Sequence, residues 1–479
     1  MLKQKTRWKN HLLVTVLILG LLVSGKVYLG KAAQETPGKY ALAISNEVTM
    51  GKIYDHDMKL IGKGVDNETE IFEKEYAESF SNLIGPDIWT SLKSSYTVRG
   101  MAADYLYGLK QDRLKELNPF TRNVGNDIQL SLEGDLTNFI YSLLTKNAYT
   151  DSAVLVLNYK TGEILAAVSL PTFDLNDEGN LNLKDGLLSD DRADNKVFKS
   201  SLMLGSTMKP LLYAALLEID PSLEHLNYQC VKGNHMFQGV QVQCDSNVYH
   251  GSLSTMKEGL RISCNGYALA AASAVPQKQL LEKLKRFGFD NSFSFSQSLT
   301  YSDSTYYGAK ADAGDKVRAA IGAGNCRGSL LSLGISYSAI FNKGVAPAPK
   351  ILLAACERGE SEFIPTKDDR SMRMCSEETA EKVVEMMAGV TENGTGKRLD
   401  MSDQGYRIAS KTGTAEETDR VTNTLWCVAG VTEVESRESY LVITCIDHAK
   451  PEWTSSQEVC GAAREILEYL LLKEGGKVK

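Results

Sequence analysis

Two pairs of apolar runs sit at opposite ends of the C-terminal part of this chain, and they restrict its fold more than any other feature. "AVLVLN" (153–158) and "EILAAVS" (163–169) are joined by "YKTG"; "TLWCVAGVTE" (424–433) is followed by "SYLVITCID" (439–447). Each run has strand length and β-branched content, and the first pair reads as a hairpin. Between the pairs lie helical segments, "KPLLYAALLEI" (209–219) and "EGLRISCNGYALAAASAV" (258–275). The tail "SSQEVCGAAREILEYLLLKE" (455–474) reads as an amphipathic helix. Strands at both ends with helices between them imply one sheet built from both ends, hence an α+β fold with a mostly antiparallel sheet flanked by helices.

The N-terminus is of another kind. Lys3, Lys5, Arg7 and Lys9 precede "HLLVTVLILGLLVSG" (11–25), with no acid among the first ten residues. The apolar core extends to Leu29 if Lys26 snorkels towards the interface. By the positive-inside rule this reads as a cytoplasmic tail (1–10) and a transmembrane signal-anchor (11–29). A cleaved signal peptide ending near Gly30-Lys31-Ala32 is the competing reading, and both place the remainder outside the cytoplasm. Residues 31–38 read as a linker and 39–125 as short strands and helices without a catalytic constellation. "ETEIFEKEYAESFSNLI" (68–84) has helical periodicity, whereas "DIQLSLEGDLTNFIYSLLTKN" (127–147) reads as strand, turn and helix.

The net charge of −7 excludes a basic nucleic-acid footprint. The nine cysteines are scattered with no C-x-x-C pair, so neither a zinc site nor another cofactor is expected. Cys230 and Cys244 flank a Gly-containing loop and either close a disulfide outside the cell or stay as two thiols.

The string S-T-M-K occurs twice, at Ser206–Lys209 and Ser254–Lys257. A serine three residues before a lysine on a helix can be a nucleophile beside its base, provided the lysine is desolvated. Ser206 follows Gly205 and opens the apolar helix, which would bury Lys209 and favour its neutral form. Ser254 precedes T-x-x-E, a capping box, so the second copy reads as a helix start. Lys-Thr-Gly also recurs. Lys160-Thr161-Gly162 makes the hairpin turn, while Lys411-Thr412-Gly413-Thr414 lies on a predicted strand. There its lysine and threonines can hold a substrate carboxylate and its backbone can complete an oxyanion hole. Ser263-Cys264-Asn265 places a hydroxyl and an amide two residues apart, able to meet a lysine and a substrate amide.

Ser206-x-x-Lys209, Ser263-x-Asn265 and Lys411-Thr412-Gly413-Thr414, in that order, resemble the three-motif signature of penicillin-binding proteins and serine β-lactamases. "HGSLSTMKEGLRISCN", "IGAGNCRGSLLSLGISYSAIFNKG" and "GVTENGTGKRL" extend the resemblance over most of 150–479. "MGKIYDHDMKLIGKG" is similar to the entry segment of the class B, monofunctional transpeptidases, with Met50 and His56 where arginines are usual. Leu204 stands where a proline is usual, and 39–125 match poorly. The resemblance implies a serine β-lactamase/transpeptidase-like domain over 150–479, preceded by the anchor and a smaller N-terminal pedestal (31–149).

It also implies a peptidoglycan D,D-transpeptidase. Ser206 attacks the stem peptide and Lys209 takes its proton. Ser263 and Lys411 relay a proton to the leaving D-alanine, and Asn265 binds the peptide amide. Thr412, Gly413 and Thr414 form the carboxylate-binding strand, and β-lactams acylate Ser206. The implied partners are peptidoglycan stem peptides, β-lactams, the membrane and a polytopic membrane glycosyltransferase. Three alternatives stay open: a D,D-carboxypeptidase or β-lactamase with water as acceptor, a β-lactam sensor, and a catalytically silent cell-wall scaffold.

Overall fold

The computed structural model describes residues 48–473, apart from 88–95, 109–123, 182, 185–186, 189–190, 199–200, 232–233, 245–248, 292–303, 309–310, 357–359, 367–369, 417–421, 435–437 and 450–454. The anchor, cytoplasmic tail and linker read from residues 1–38 lie outside the described residues. Among those described, no helix is long and apolar enough to cross a membrane.

In chain order the elements used below begin with β1 (Ile53–Tyr54), β2 (Leu60–Gly64), β3 (Glu70–Phe72), β4 (Asp127–Leu130) and α1 (Gly134–Lys146). The hairpin β5 (Ser152–Asn158) and β6 (Ile164–Ser169) leads to α2 (Met208–Leu217). There follow β7 (Tyr228–Cys230), β8 (Asn234–Phe237), β9 (Val240–Gln243), β10 (Gly251–Leu253), α3 (Met256–Arg261), α4 (Asn265–Ser273) and α5 (Leu330–Phe341). The chain closes with β11 (Leu352–Cys356), β12 (Phe363–Pro365), α6 (Glu377–Asn393), β13 (Arg407–Glu416), β14 (Asn423–Thr432), β15 (Tyr440–Ala449) and α7 (Gln457–Lys473).

The expected shared sheet forms. Its order is β13-β14-β15-β5-β6, antiparallel throughout, and Asn158 of β5 meets Tyr440 of β15. Every residue of β5 is buried because both faces of the sheet are covered. Leu155 and Leu157 join one core with α2 and α5, while Val154 and Val156 join a second with α1 and α7. That two-sided burial explains an unbroken apolar run where a half-exposed strand would alternate.

A second sheet has the order β12-β11-β4-β1-β2-β3. Its first five-residue member in that list after β12, strand β11, comes from far along the chain and pairs with β4, Ala355 opposite Ile128. The N-terminal sheet therefore draws two strands from beyond residue 350, which the sequence pattern did not signal. The helix expected over 68–84 is largely absent: β3 occupies its start, and only Ser81–Ile84 is α-helical. The reason is tertiary. Phe72 lies over Gly62 of β2, where an added Cβ would come within 2.3 Å of its ring. That close packing, together with the β2–β3 ladder, outweighs local helix preference.

Candidate active site

The first S-T-M-K sits on a sharp backbone turn. Gly205 has φ +53°, in the left-handed region that glycine enters freely. Its N–H donates to the Gly322 carbonyl at 2.8 Å, and a Cβ on Gly322 would fall 1.8 Å from the Gly205 oxygen. Residues 205–207 form one 3-10 turn and run directly into α2. The Tyr337 hydroxyl, from α5, donates to the Thr207 carbonyl at 2.6 Å. From Leu202 to Leu217 every residue is buried except Ser206. The fold thus immobilises the turn and leaves one hydroxyl-bearing residue open.

Behind that serine is a lysine network. Lys209 is fully buried, and its Nζ donates to the Ser263 carbonyl at 2.7 Å, to Ser263 Oγ at 3.2 Å and to Asn265 Oδ1 at 2.6 Å. Lys411 is buried too; its Nζ donates to Ser263 Oγ at 3.0 Å and to the Thr412 carbonyl at 2.7 Å. Burial, then the like charge of Lys209, pushes the Lys411 ammonium well below the usual lysine range. Ser263 has φ +57°, uncommon for a residue with a side chain. That conformation turns its carbonyl and hydroxyl towards the same ammonium.

The third motif lies on β13, the edge of the five-stranded sheet. A Cβ on Gly205 would meet the Thr414 carbonyl at 2.8 Å, so the turn and the edge strand are in contact. Thr414 is partly exposed; Thr412 is buried, its hydroxyl 2.7 Å from that of Thr395. Trp426 on β14 donates its indole N–H to the Met203 carbonyl at 2.8 Å and pins the approach to the turn.

The three motifs expected from the sequence thus come into contact at one place. A transpeptidase domain model, "Penicillin binding protein transpeptidase domain", matches residues 152–468. The chain belongs to the penicillin-binding protein transpeptidase family. Peptidoglycan D,D-transpeptidase FtsI of Buchnera aphidicola is 26% identical over 313 residues, covering 64% of this chain and 50% of that protein. Peptidoglycan D,D-transpeptidase MrdA of Acinetobacter baumannii is 24% identical over 398 residues, 76% of this chain and 56% of its own length. The chain therefore spans about half the length of these relatives. The ceftriaxone acyl-enzyme complex of penicillin-binding protein A from M. tuberculosis superposes with TM-score 0.75 at 20% identity, over 89% of this chain and 99% of that one. A D,D-transpeptidase domain from Eggerthella lenta gives 0.71 at 21% identity, over 90% and 99%. The α+β transpeptidase fold is shared with both.

The transpeptidase domain also disposes of the duplicated strings. Thr255 Oγ1 accepts the Glu258 N–H at 3.2 Å, and Glu258 Oε2 accepts the Ser254 and Thr255 N–H groups at 2.7 and 3.2 Å. Lys257 pairs on the surface with Glu385 at 2.7 Å. The second S-T-M-K is a capped helix start. Lys160-Thr161-Gly162 is the β5–β6 turn, with Asn158 Oδ1 accepting the N–H groups of Lys160 and Thr161.

Two placements refine the expectations, and the second decides between the two readings left open for Cys230 and Cys244. Asn265 is engaged at both ends of its amide, since Nδ2 donates to the Gln243 carbonyl at 2.8 Å while Oδ1 holds Lys209. Cys230 and Cys244 are both free thiols with Sγ atoms 3.9 Å apart, so no disulfide joins them. They belong instead to a four-residue group with His250 and Cys264. No C-x-x-C pair marks that group, because its members come from four separate segments. Thr395 and Tyr337 were also missed. Thr395 lies in the quoted "GVTENGTGKRL", but no chemistry in that string singles it out.

Proposed function

We propose that this protein is a class B, monofunctional peptidoglycan D,D-transpeptidase, acylated at Ser206. The observation that carries the reading is Ser206 itself: the one open position on a buried turn, in front of the Lys209–Ser263–Lys411 network. A neutral Lys209 amine keeps two N–H groups, enough for the Ser263 carbonyl and Asn265 Oδ1. Its lone pair is then left for the Ser206 proton. Ser206 Oγ attacks the carbonyl of the penultimate D-alanine, and the backbone N–H groups of Ser206 and Thr414 receive the oxyanion. As the peptide C–N bond breaks, the proton taken up by Lys209 is relayed through Ser263 and Lys411 to the departing D-alanine amine. An amine from a second strand then takes the acyl group and returns Ser206 to its hydroxyl form. β-Lactams form the same ester.

Thr414, partly exposed, carries more of the contact to the terminal carboxylate than Thr412, whose hydroxyl is shared with Thr395. Asn265 meets the peptide amide through the second Nδ2 N–H and the remaining lone pair of Oδ1. Residues 31–149 act as the pedestal and 150–479 as the transpeptidase domain. Residues 11–29 anchor the chain in the cell membrane, with the domain on the extracytoplasmic face. A polytopic membrane glycosyltransferase is the partner that would supply the strands.

Fluorescent-penicillin labelling of the full chain tests the reading. Label should persist in Ser254→Ala and vanish in Ser206→Ala while both variants remain folded. Undiminished labelling of Ser206→Ala overturns the assignment.

A further inference from the structure

Beside the lysine network, and used by none of its chemistry, four side chains converge. The ligand-type atoms of Cys230, Cys244, His250 and Cys264 all lie within 4.8 Å of one another. Cys230 Sγ is 3.9 Å from Cys244 Sγ and 3.5 Å from His250 Nδ1; Cys244 Sγ is 3.7 Å from Cys264 Sγ. A tetrahedral ion with Zn–S of about 2.3 Å and Zn–N of about 2.0–2.1 Å sets its ligands about 3.8 Å (S to S) and about 3.6 Å (S to N) apart. These three separations match those edges, and the remaining pairs lie within 4.8 Å. A disulfide, at about 2.05 Å, does not fit them, and three sulfurs cannot all pair.

We propose that Cys230, Cys244, His250 and Cys264 bind one Zn²⁺ as a closed structural site. Three thiolates and one imidazole make a soft tetrahedral donor set, which selects zinc over magnesium or calcium. The thiols would give up their protons on binding. The three cysteines are buried and His250 is partly so. Cys230 ends β7, directly opposite Gly251, which places His250 at the same end of the β7–β10 ladder. Cys244 follows β9, and Cys264 caps α4, its Sγ accepting the Tyr267 N–H at 3.4 Å. Such an N–H···S contact orients a metal thiolate. His235 packs Nε2 against two of the sulfurs, at 3.8 and 3.9 Å, but its Nδ1 is bonded to the Tyr228 hydroxyl. It stands outside the group.

The location gives the ion a second consequence. Cys264 lies between Ser263 and Asn265, the two residues that hold Lys209. Cys244 follows Gln243, whose carbonyl holds the Asn265 amide. Zinc would therefore fasten the end of β9 to the turn carrying Ser263, whose left-handed backbone persists only where its surroundings impose it. The four ligands are positioning residues for the network and touch no substrate. This second consequence rests on the transpeptidase reading; the metal site does not.

The test uses the full chain purified without chelator. Elemental analysis should find about one zinc per chain, lost in Cys244→Ser and in His250→Ala and kept in His235→Ala. Because a cysteine variant can fail to fold, the unmutated chain, stripped of metal and titrated with Co²⁺, supplies an independent readout. It should develop thiolate-to-cobalt charge transfer and tetrahedral ligand-field bands. Restoring Zn²⁺ to stripped protein should raise its melting temperature and its rate of penicillin acylation. Folded protein without stoichiometric zinc and without the cobalt bands overturns the site. So does a Cys230–Cys244 disulfide in the isolated chain. Zinc bound as proposed, with an acylation rate indifferent to its removal, overturns only the positioning role.

Discussion

Ser263 Oγ accepts from two lysines at once, Lys209 at 3.2 Å and Lys411 at 3.0 Å. Burial first, and the charge of Lys209 second, make Lys411 give up its proton the more readily. The sign for stability follows. A lysine whose pKa falls on folding opposes the fold while it is charged. As pH rises from its depressed folded value towards about 10.4, the unfolded chain retains a proton that the native state has lost, so stability increases. Lys411→Met removes that dependence. Thermal melts across the window should show the variant gaining on the wild-type protein at the acid end and losing that relative advantage as pH rises. A stability difference that stays constant with pH would count against a buried, proton-shedding Lys411. At this scale the chain was legible where chemistry is tied to spacing, as in Ser206-x-x-Lys209. It was illegible where a role depends on what folds over it, as in Thr395, which no local pattern separates from any other loop threonine.

Elements decide which of two identical strings joins the buried lysine network. In the first, the turn is followed by a helix buried on all sides, and its lysine has nowhere to go but the network. In the second, the helix is amphipathic and its lysine reaches Glu385 at the surface. Thr255→Ala should therefore cost about 0.5–2 kcal/mol of stability, the usual loss for a removed N-cap. Penicillin labelling should not change; a denaturation curve and a labelling gel on the same sample check both halves. Capping boxes, hairpins and buried helices were readable because they are local. The short strands β11 and β12 were not: β11 finds its partner β4 in a distant part of the chain, β12 pairs in turn with β11, and three to five residues carry too little periodicity to announce a strand.

Across the whole molecule, one buried cation holds the N-terminal sheet against the segment that follows the first hairpin. Arg99, 1% exposed, pairs with Glu70 of β3 at 2.6 Å, with Asp87 at 3.5 Å and with Glu178 at 3.6 Å, and lies 5.4 Å from the Phe72 ring centroid. Removing such a partner strands the largely buried carboxylates of Glu70 and Glu178 without their cation. Arg99→Ala should cost about 3–5 kcal/mol, read as a lowered denaturation midpoint. Labelling of the fraction that remains folded should be normal, because no residue of the three motifs touches this cluster in the ion pairs described. The shared five-stranded sheet was visible in the sequence because its strands are long and apolar. The tie between the N-terminal sheet and the rest was not, because it is made by short strands and by one arginine among many charged residues.

The pairing of Asn158 with Tyr440 sets a timetable for the newly made chain. A ribosome makes β5 and β6 early, yet the strand that covers the open side of β5 is among the last to appear. Lys411 is likewise synthesised well after the serine it serves. Until then Ser206 stands on a turn with no edge strand beside it, and β4 waits in the same way for β11. Long-range pairings of this kind slow folding and leave strand edges exposed while they are pending. The three motifs thus cannot come together until almost the entire sequence has arrived, and the nascent protein is most in need of protection from aggregation during that interval.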